Sequence, residues 1–491
     1  LNTSSSNCFP RVALASLFVY IRQWRAGWGV MSDDFIYGSV LLFSLAVGQA
    51  AKCTKGALNR KLLCSSVGSL IVIVTCGADS LHPVFTAVVN SLLISAISPR
   101  WCHVASFIWC FGYLVFFRTA DYFGLPKPSP LANALQLFNT LRMVGVAFEV
   151  HDAYYLERKR DESDEEFKRR KEYYKLRPSL LDLVMYSFCY IGLFTGPYYK
   201  YRTYFDFLHQ EKPESIPTFR FALQRLKPVP AIAITFLVFS YFFNIKYVET
   251  EEFYQHPFIY RLLYMVPMFT IFRTRLYLAW LFAECMCMTS GLGAYPVSYK
   301  AQCGDGPSNL EAVEKRKSAE KSESGDKERY DFETVYNLDI YGCELAPTTR
   351  EGLRSWNMTV QYWLASCVHR RLPKSLGALR VAITMGVSAF WHGIHAGYYL
   401  SFMTVPPILM AEEAMTTAFR NRANPAQQKL FDWGCWFFKM RGFDYMCMGF
   451  LLLKFDATIA YWSSIYFTGH ICIVILLIIG YAFQGKKSKK E

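Results

Sequence analysis

Apolar segments alternate with shorter polar ones along most of the 491-residue chain. Several of the apolar segments approach the roughly 20 residues that an α-helix needs to cross the hydrocarbon core of a bilayer. Charged residues lie mostly between these segments rather than inside them. The pattern predicts an all-α polytopic membrane protein with roughly nine to eleven transmembrane helices. The apolar segments are residues 35–51, 62–77, 84–98, 102–117, 180–196, 231–245, 258–291, 356–368, 376–410 and 445–483. Residues 131–150 are amphipathic and predict a helix in the membrane interface or in the bundle interior.

Two longer polar segments and one basic triplet interrupt this pattern. Residues 156–177 are densely charged and predict a solvated loop or a surface helix. Residues 302–329 are rich in Lys, Glu, Ser and Gly and predict a disordered cytoplasmic loop. The triplet RTR at 273–275 predicts either a division of segment 258–291 into two helices or polar side chains that face the protein interior.

The two ends of the chain differ from the rest. We expect residues 1–30 to be an upstream extension or an artefact of gene prediction, because Met31 is followed by an acidic start to the first apolar segment. A targeting segment is the alternative, since residues 12–21 form a short apolar run. Residues 31–485 then make up one membrane domain, and residues 486–491 form a basic tail.

The distribution of charge predicts the orientation in the membrane. Two acidic residues precede the first apolar segment, and four basic residues without an acidic one follow it, namely Asp33 and Asp34 before and Lys52, Lys55, Arg60 and Lys61 after. Because basic loops stay cytosolic, the membrane domain starts in the lumen and the tail is cytosolic. Lys487 and Lys489 resemble a dilysine retrieval signal of the endoplasmic reticulum membrane, although a basic flank at the lipid headgroups explains them as well.

Composition excludes several other classes of protein. Hydrophobic residues make up 53% of the chain, and the formal net charge is +14. No basic stripe interleaved with aromatic residues is present, so we expect no nucleic-acid partner. The 15 cysteines are scattered through apolar runs without paired C-x-x-C spacing, which argues against both a disulfide framework and a zinc site.

The stretch "SAFWHGIHAGYY" at 388–399 places two histidines in an apolar segment. If the segment is one helix, Ser388, His392 and His395 share a face, and Tyr399 lies one turn further on. Gly393 would let a substrate approach the backbone closely. His392 is either a hydrogen-bonded structural residue or a general base. Three other interpretations have less support. A metal site on the two histidines lacks a third ligand nearby in the sequence, and a nucleophilic serine activated by His392 lacks the G-x-S-x-G turn. A transporter that relays protons through the histidines would show repeated halves, which this chain does not have.

A second polar group lies in "RSWNMTVQYWL" at 354–364. Asn357 is followed by Met358 and Thr359, so it formally reads as an N-glycosylation acceptor. The neighbouring Trp356 and the apolar run 360–365 instead place it at membrane depth. An amide there can donate to a developing oxyanion or hold the tautomer of a histidine.

Together these two stretches resemble the paired Asn and His signature of the membrane-bound O-acyltransferases. The likeness covers nearly all of residues 31–483 and includes "FCYIGLFTGPYYKYRTYFDF", "RLLYMVPMFTIFRTRLYLAWLFAECMCMTSGLGAYP", "DFETVYNLD" and "FFKMRGFDYMCMGFLLL". Within the family, the chain is most similar to the lysophosphatidylinositol acyltransferase branch. The resemblance implies a multi-helix fold around a central catalytic tunnel, with His392 and Asn357 facing its centre.

The resemblance also implies a reaction. An acyl-coenzyme A enters from the cytosol as co-substrate, and a lysophospholipid enters from the membrane. The expected lysophospholipid is lysophosphatidylinositol. His392 accepts the proton of the free sn-2 hydroxyl as that oxygen attacks the thioester carbonyl, and Asn357 polarises the carbonyl or positions the hydroxyl. No cofactor and no metal are expected. A different lysophospholipid acceptor, or a non-catalytic scaffold of the same fold, are the alternatives.

Further residues are expected to support the two catalytic ones. Four of them should line or brace the catalytic chamber, namely Trp356, His395, Tyr398 and Tyr399. Four basic residues should contact phosphates of coenzyme A or of the lipid headgroup, or else mark the cytosolic boundary as flanking charges, namely Lys200, Arg202, Arg273 and Arg275.

Overall fold

A computed structural model describes residues 33–159, 164–319 and 329–484 of the chain. The described residues are mostly helical and form only two short strands, which confirms the predicted all-α class. The predictions for residues 1–30 and for the basic tail lie outside the described residues.

The chain divides into two compact units. The first comprises the residues up to Gln224 and Phe282–Val335, and the second comprises Arg225–Leu281 and the residues from Tyr336 onward. The helices that begin before Arg225, all of them in the first unit, are α1 (Asp33–Cys53), α2 (Ala57–Cys76), α3 (Leu81–Ala96), α4 (Cys102–Arg118), α5 (Pro130–Arg158), α6 (Glu165–Tyr173), α7 (Leu180–Ser187), α8 (Tyr201–Leu208) and α9 (Thr218–Leu226).

The remaining helices follow in chain order, and α13 continues from the second unit into the first. They are α10 (Val229–Phe242), α11 (Glu251–Gln255), α12 (Phe258–Leu263), α13 (Met265–Ser290), α14 (Leu310–Ala319), α15 (Ile340–Leu345), α16 (Thr349–Ser355), α17 (Met358–Cys367), α18 (Leu379–His392), α19 (Ala396–Met403), α20 (Val405–Ala418), α21 (Pro425–Leu452), α22 (Phe455–Ser464) and α23 (Thr468–Phe483). The short strands β1 (Tyr295–Pro296) and β2 (Tyr330–Asp331) pair antiparallel.

Several of the helices are suited to a membrane. By length and composition, three helical stretches among the described residues can cross a bilayer, namely Phe35–Cys53, Ala57–Ala96 and Thr218–Glu249. A fourth results if α22 and α23, which are bent by 67° at their break, count as one span. The apolar helices support a multi-pass membrane protein. The predicted nine to eleven crossings stay a prediction.

The buried guanidinium of Arg142 organises the first unit. Arg142 lies on α5, and it donates hydrogen bonds to the carbonyl oxygens of Ser187 at 3.2 Å, Cys189 at 3.0 Å and Ile191. It also contacts the Tyr186 carbonyl oxygen and the Tyr199 hydroxyl. The chain between α7 and α8 is irregular, and its carbonyl groups need such donors because they are buried away from water. One side chain therefore satisfies much of this irregular segment.

The prediction of a disordered loop over residues 302–329 is wrong for its described first part. Gln302 pairs with Gly306 in a β-bridge, and α14 follows. Leu310 and Val313 of this helix are buried in a cluster with Tyr173, Tyr295 and Tyr299. Two apolar side chains on an otherwise polar helix thus anchor it to the first unit. Residues 320–328 lie outside the described residues.

Two other predictions about polar segments have different outcomes. The charged segment 156–177 contains α6, which begins after Asp164, whose side chain accepts a hydrogen bond from the Glu166 N–H. A surface helix was one of the two structures predicted for it. The division of segment 258–291 at the RTR triplet is wrong, because α13 runs through 273–275 without a break and the interruption lies before Met265.

Candidate active site

The expected single helix through both histidines is wrong. Helix α18 ends at His392, Gly393 is extended, and His395 immediately precedes α19. Ser388, His392 and His395 therefore do not share one helical face. A Cβ atom on Gly393 would lie 2.4 Å from Cε2 of Tyr398, so the close approach of this ring explains the glycine.

The break leaves His392 at the C-terminal end of a helix with aromatic rings around it. Its ring centroid lies 5.2 Å from that of Phe402, 5.1 Å from that of Phe450 and 5.9 Å from that of Tyr398. Phe402 is stacked on the imidazole, with an interplanar angle of 23°. The C-terminus of a helix favours positive charge, so this position stabilises the imidazolium that forms when a histidine accepts a proton.

Close packing of α19 against α21 fixes these rings. The Gly397 N–H donates to the Leu453 carbonyl oxygen at 2.7 Å, and the Ser401 hydroxyl donates to the Met446 carbonyl oxygen at 2.7 Å. A Cβ atom on Gly397 would lie 2.1 Å from the Gly449 carbonyl oxygen. Because the two backbones are in direct contact, the rings on α19 and Phe450 on α21 are held together around His392.

Asn357 has an unusual backbone conformation. It lies immediately before α17 with φ 47° and ψ 50°, in the left-handed region. Asparagine at this position usually caps the helix with its side chain, yet here the side chain makes no capping hydrogen bond. Its Oδ1 atom is buried and has no hydrogen-bond partner within the described part of the chain. A left-handed non-glycine residue costs about 1–3 kcal/mol, and such strain is concentrated at functional sites.

A wall of aromatic rings connects the two sequence motifs within the second unit. Trp356 packs against Trp280 at 4.9 Å between ring centroids and against Phe272 at 6.3 Å. Phe272 in turn lies 5.1 Å from Phe450, which contacts His392. The segment that carries Asn357 and the end of α18 are therefore linked through three successive ring contacts.

The expected chamber residues have different surroundings. Trp356 and Tyr398 belong to the aromatic surroundings just described, and Tyr398 and Tyr399 are both half-buried. His395 is exposed, and its ring lies 6.3 Å from that of Tyr398. The structure thus separates the two histidines, with His392 half-buried among aromatic rings and His395 exposed.

The four basic candidates divide between the two units. In the second unit, Arg273 forms an ion pair with Glu344 at 3.0 Å, and its guanidinium lies 5.0 Å from the ring centroid of Phe269. Arg275, two positions further along α13, is exposed. In the first unit, Lys200 forms an ion pair with Asp305. These partners account for Lys200 and Arg273 without a bound phosphate.

Arg202, the fourth basic candidate, belongs to a buried polar cluster that sequence reasoning did not find. Its guanidinium donates to Asp206 at 2.6 Å and to the Tyr173 carbonyl oxygen at 2.6 Å. The hydroxyls of Tyr173 and Tyr295 donate to the same carboxylate at 2.7 and 2.9 Å. Burial raises the pKa of both hydroxyls well above the usual range, so both remain protonated donors. The contacts made by Arg202 are structural.

The second unit also contains a cavity of about 410 Å³, a volume typical of sites for small ligands. Its walls come mainly from α20, α21 and α23, and they include Ile408, Met415, Phe438 and Leu476. Gly434 and Arg441 of α21 also line it. No sequence motif indicated it.

The residues that complete the chamber were also missed by sequence reasoning. Phe272, Phe402 and Phe450 reach His392 or Trp356 from distant helices, and apolar spacing does not distinguish a chamber wall from ordinary core packing. Among the described residues, no group of three or more His, Cys, Asp or Glu side chains could hold a metal ion.

Comparison with known proteins identifies the family of the chain. The sequence profile of the membrane-bound O-acyltransferase family matches residues 84–452. The chain is 42% identical over 461 residues to the membrane-bound acylglycerophosphatidylinositol O-acyltransferase of Xenopus laevis, which covers 93% of this chain and 95% of the relative. The human protein of the same description is 42% identical and covers 92% and 94%, respectively.

A more distant relative aligns with a similar share of the chain. The acylglycerophosphatidylinositol O-acyltransferase of Drosophila melanogaster is 32% identical over 472 residues, covering 94% of each chain. The aligned regions contain both Asn357 and His392, and the resemblance noted in the sequence is confirmed. The chain belongs to the membrane-bound O-acyltransferase family.

Proposed function

We propose that this protein is a lysophosphatidylinositol acyltransferase that transfers a fatty acyl chain from acyl-coenzyme A to the free sn-2 hydroxyl of the acceptor. The names of its relatives support the acceptor class. The observation that carries the proposal is that one set of aromatic ring contacts joins His392 to the segment of Asn357. His392 ends a helix among aromatic rings, and a strained Asn357 with a buried amide oxygen lies beside the same aromatic wall.

His392 acts as the general base in this proposal. Its neutral imidazole accepts the proton of the acceptor hydroxyl while that oxygen forms a bond to the thioester carbonyl carbon. When the carbon–sulfur bond breaks, the imidazolium returns the proton to the leaving thiolate of coenzyme A. The reaction balances without a covalent acyl-enzyme, a metal or a cofactor.

Asn357 stabilises the transition state by donating an amide N–H to the carbonyl oxygen as negative charge develops there. The side chain makes no capping hydrogen bond to α17, so its amide group is not held at the start of that helix. The loss of one such donor typically costs about 10²–10³ in kcat. The aromatic wall excludes water, which would otherwise hydrolyse the thioester.

Three finer features are part of the proposal. A polyunsaturated acyl donor is the expected preference within this branch of the family. Of the four basic candidates, the exposed Arg275 is the one proposed to contact phosphate groups of a substrate, whereas Arg273, Lys200 and Arg202 already have the partners described above. The membrane of residence is proposed to be that of the endoplasmic reticulum.

The test uses membranes that contain the wild-type chain, His392→Ala or the matched control His395→Ala. Each is supplied with lysophosphatidylinositol, or with a lysophospholipid of another headgroup, and a panel of acyl-coenzyme A donors. We expect wild-type product with lysophosphatidylinositol, a loss of about 10²–10⁴ in His392→Ala and a change of only a few fold in His395→Ala. Equal rates in wild type and in an expressed His392→Ala variant would refute the role of His392, and faster transfer to another headgroup would refute the acceptor.

A further inference from the structure

The first turn of α17 leaves backbone N–H groups that need acceptors. The N–H groups of Val360 and Gln361 both bond to the Asn357 carbonyl oxygen at 3.0 Å. Those of Met358 and Thr359 are too close to the start of the helix to have a partner within it. A side chain at position 357 would ordinarily supply the acceptor, but Asn357 does not do so.

Asn337 supplies these acceptors from a distant part of the chain. Its backbone carbonyl oxygen accepts the Met358 N–H at 2.8 Å. Its side-chain Oδ1 accepts the Thr359 N–H at 3.1 Å and the Thr359 hydroxyl at 2.6 Å. Asn337 and Thr359 are both fully buried. Asn337 therefore caps α17, although Asn357 is the residue that directly precedes the helix.

The segment that carries Asn337 is itself held in place. The Asp339 N–H donates to the Ser355 carbonyl oxygen at 2.9 Å, so the segment contacts the chain on both sides of Asn357. Arg225 donates to the Leu338 carbonyl oxygen, and its guanidinium lies 5.0 Å from the ring centroid of Tyr336. Asn357 thus lies between two backbone contacts with this anchored segment. A strained backbone conformation persists when the surrounding structure fixes it in this way.

We propose that Asn337 is a positioning residue for acyl transfer. It caps α17 in place of Asn357, holds Asn357 in the left-handed conformation and leaves the Asn357 amide available to the substrate. This inference rests on the proposed function, because it assigns a purpose to the conformation of a residue in the same site. It predicts that the loss of Asn337 lowers the rate of the chemical step rather than substrate binding.

The first experiment compares Asn337→Ala with the matched control Asn424→Ala in the full-length protein, assayed with lysophosphatidylinositol and acyl-coenzyme A. Asn424 caps α21 with its own side chain, so its replacement removes the same kind of hydrogen bond elsewhere in the second unit. We expect Asn337→Ala to lower kcat at least tenfold with KM for both substrates changed less than threefold, and Asn424→Ala to leave kcat within threefold. A folded Asn337→Ala variant with wild-type kcat would overturn the proposal.

Asn337→Asp is the rescue variant, because it keeps oxygen acceptors for both Thr359 donors and its charge lies at a helix N-terminus, which favours anions. We expect its kcat to exceed that of Asn337→Ala at least threefold. If Asn337→Ala does not fold, Thr359→Val tests the same contact, and wild-type kcat in Thr359→Val would then count against the proposal.

A double-mutant cycle separates positioning from independent effects. In the background of Asn357→Ala, the additional Asn337→Ala change should lower the residual kcat less than twofold, because Asn337 acts through the residue already removed. An equal loss in both backgrounds would contradict the proposal. If wild type itself lacks acyltransferase activity, the proposed function fails instead, and that outcome is distinct from active wild type with an insensitive Asn337.

Discussion

The contact between α19 and α21 gives a prediction that can be worked out in numbers. Replacing Gly397 by Ala would place a methyl group 2.1 Å from the Gly449 carbonyl oxygen and 2.8 Å from the Leu453 carbonyl oxygen. Both neighbours are backbone atoms, so the helices must move apart. Overpacking of this kind costs typically about 1–3 kcal/mol, and backbone neighbours place it at the upper end of that range.

A matched substitution isolates this clash. Gly434 lies on α21, the helix against which Gly397 packs, and a Cβ atom on Gly434 would meet no other atom within 4 Å. Since alanine is more stable than glycine in a helix by about 0.5–1 kcal/mol, Gly434→Ala should be neutral or slightly stabilising. The same gain applies at most partly to Gly397→Ala near the start of α19, which leaves a net loss of about 2 kcal/mol.

Thermal unfolding of the detergent-purified proteins measures the difference. We expect Gly397→Ala to unfold several degrees below wild type and Gly434→Ala at or above it. Because the clash also displaces Phe450 from His392, kcat of Gly397→Ala should fall at least tenfold, whereas Gly434→Ala keeps it. Equal unfolding temperatures and equal kcat for the two variants would refute the close packing and its link to the chamber.

Three further predictions concern single side chains. Phe450→Ala removes the ring between His392 and Phe272, so kcat in the acyltransferase assay should fall about tenfold or more, and the unfolding temperature should also fall. An unchanged kcat would argue against the aromatic wall. Lys439→Met leaves two buried carbonyl oxygens without their ammonium donor and should destabilise the protein by about 1–3 kcal/mol in chemical denaturation. Asp206→Ala leaves the buried Arg202 without its carboxylate and should cost about 3–5 kcal/mol, detected as loss of folded protein in size-exclusion chromatography; wild-type yield would contradict this.

The sequence predicted the class of fold because the length of an apolar segment is a direct physical requirement of the bilayer. It drew attention to His392 and Asn357 because polar side chains are conspicuous in such segments, and their catalytic roles, implied by the family resemblance, stay a prediction. Spacing alone did not reveal that α18 stops at His392, since a glycine in an apolar run is compatible with a continuing helix, a kink or an end. The ring of Tyr398, which requires that glycine, is a tertiary contact.

Other failures have the same origin. Residues 302–319 look disordered by composition, and only the burial of Leu310 and Val313 among tyrosines from other segments orders them. The RTR triplet did not break α13, because Arg273 finds an acidic partner and Arg275 is exposed. The left-handed backbone of Asn357 depends on Asn337, 20 positions earlier, and no local pattern encodes that contact.

The guanidinium of Arg142 has a consequence for how variants of this protein should be interpreted. Its N–H groups reach five acceptors at the end of α7 and on the irregular segment that follows it, and a lysine offers only three donors from a single atom. A substitution here would deprive cells of the enzyme at the stage of biogenesis, without altering any group that contacts substrate. Loss of activity in a cell-based screen at this position would therefore report abundance, and only a measurement per folded molecule would distinguish it from a defect in the chemistry.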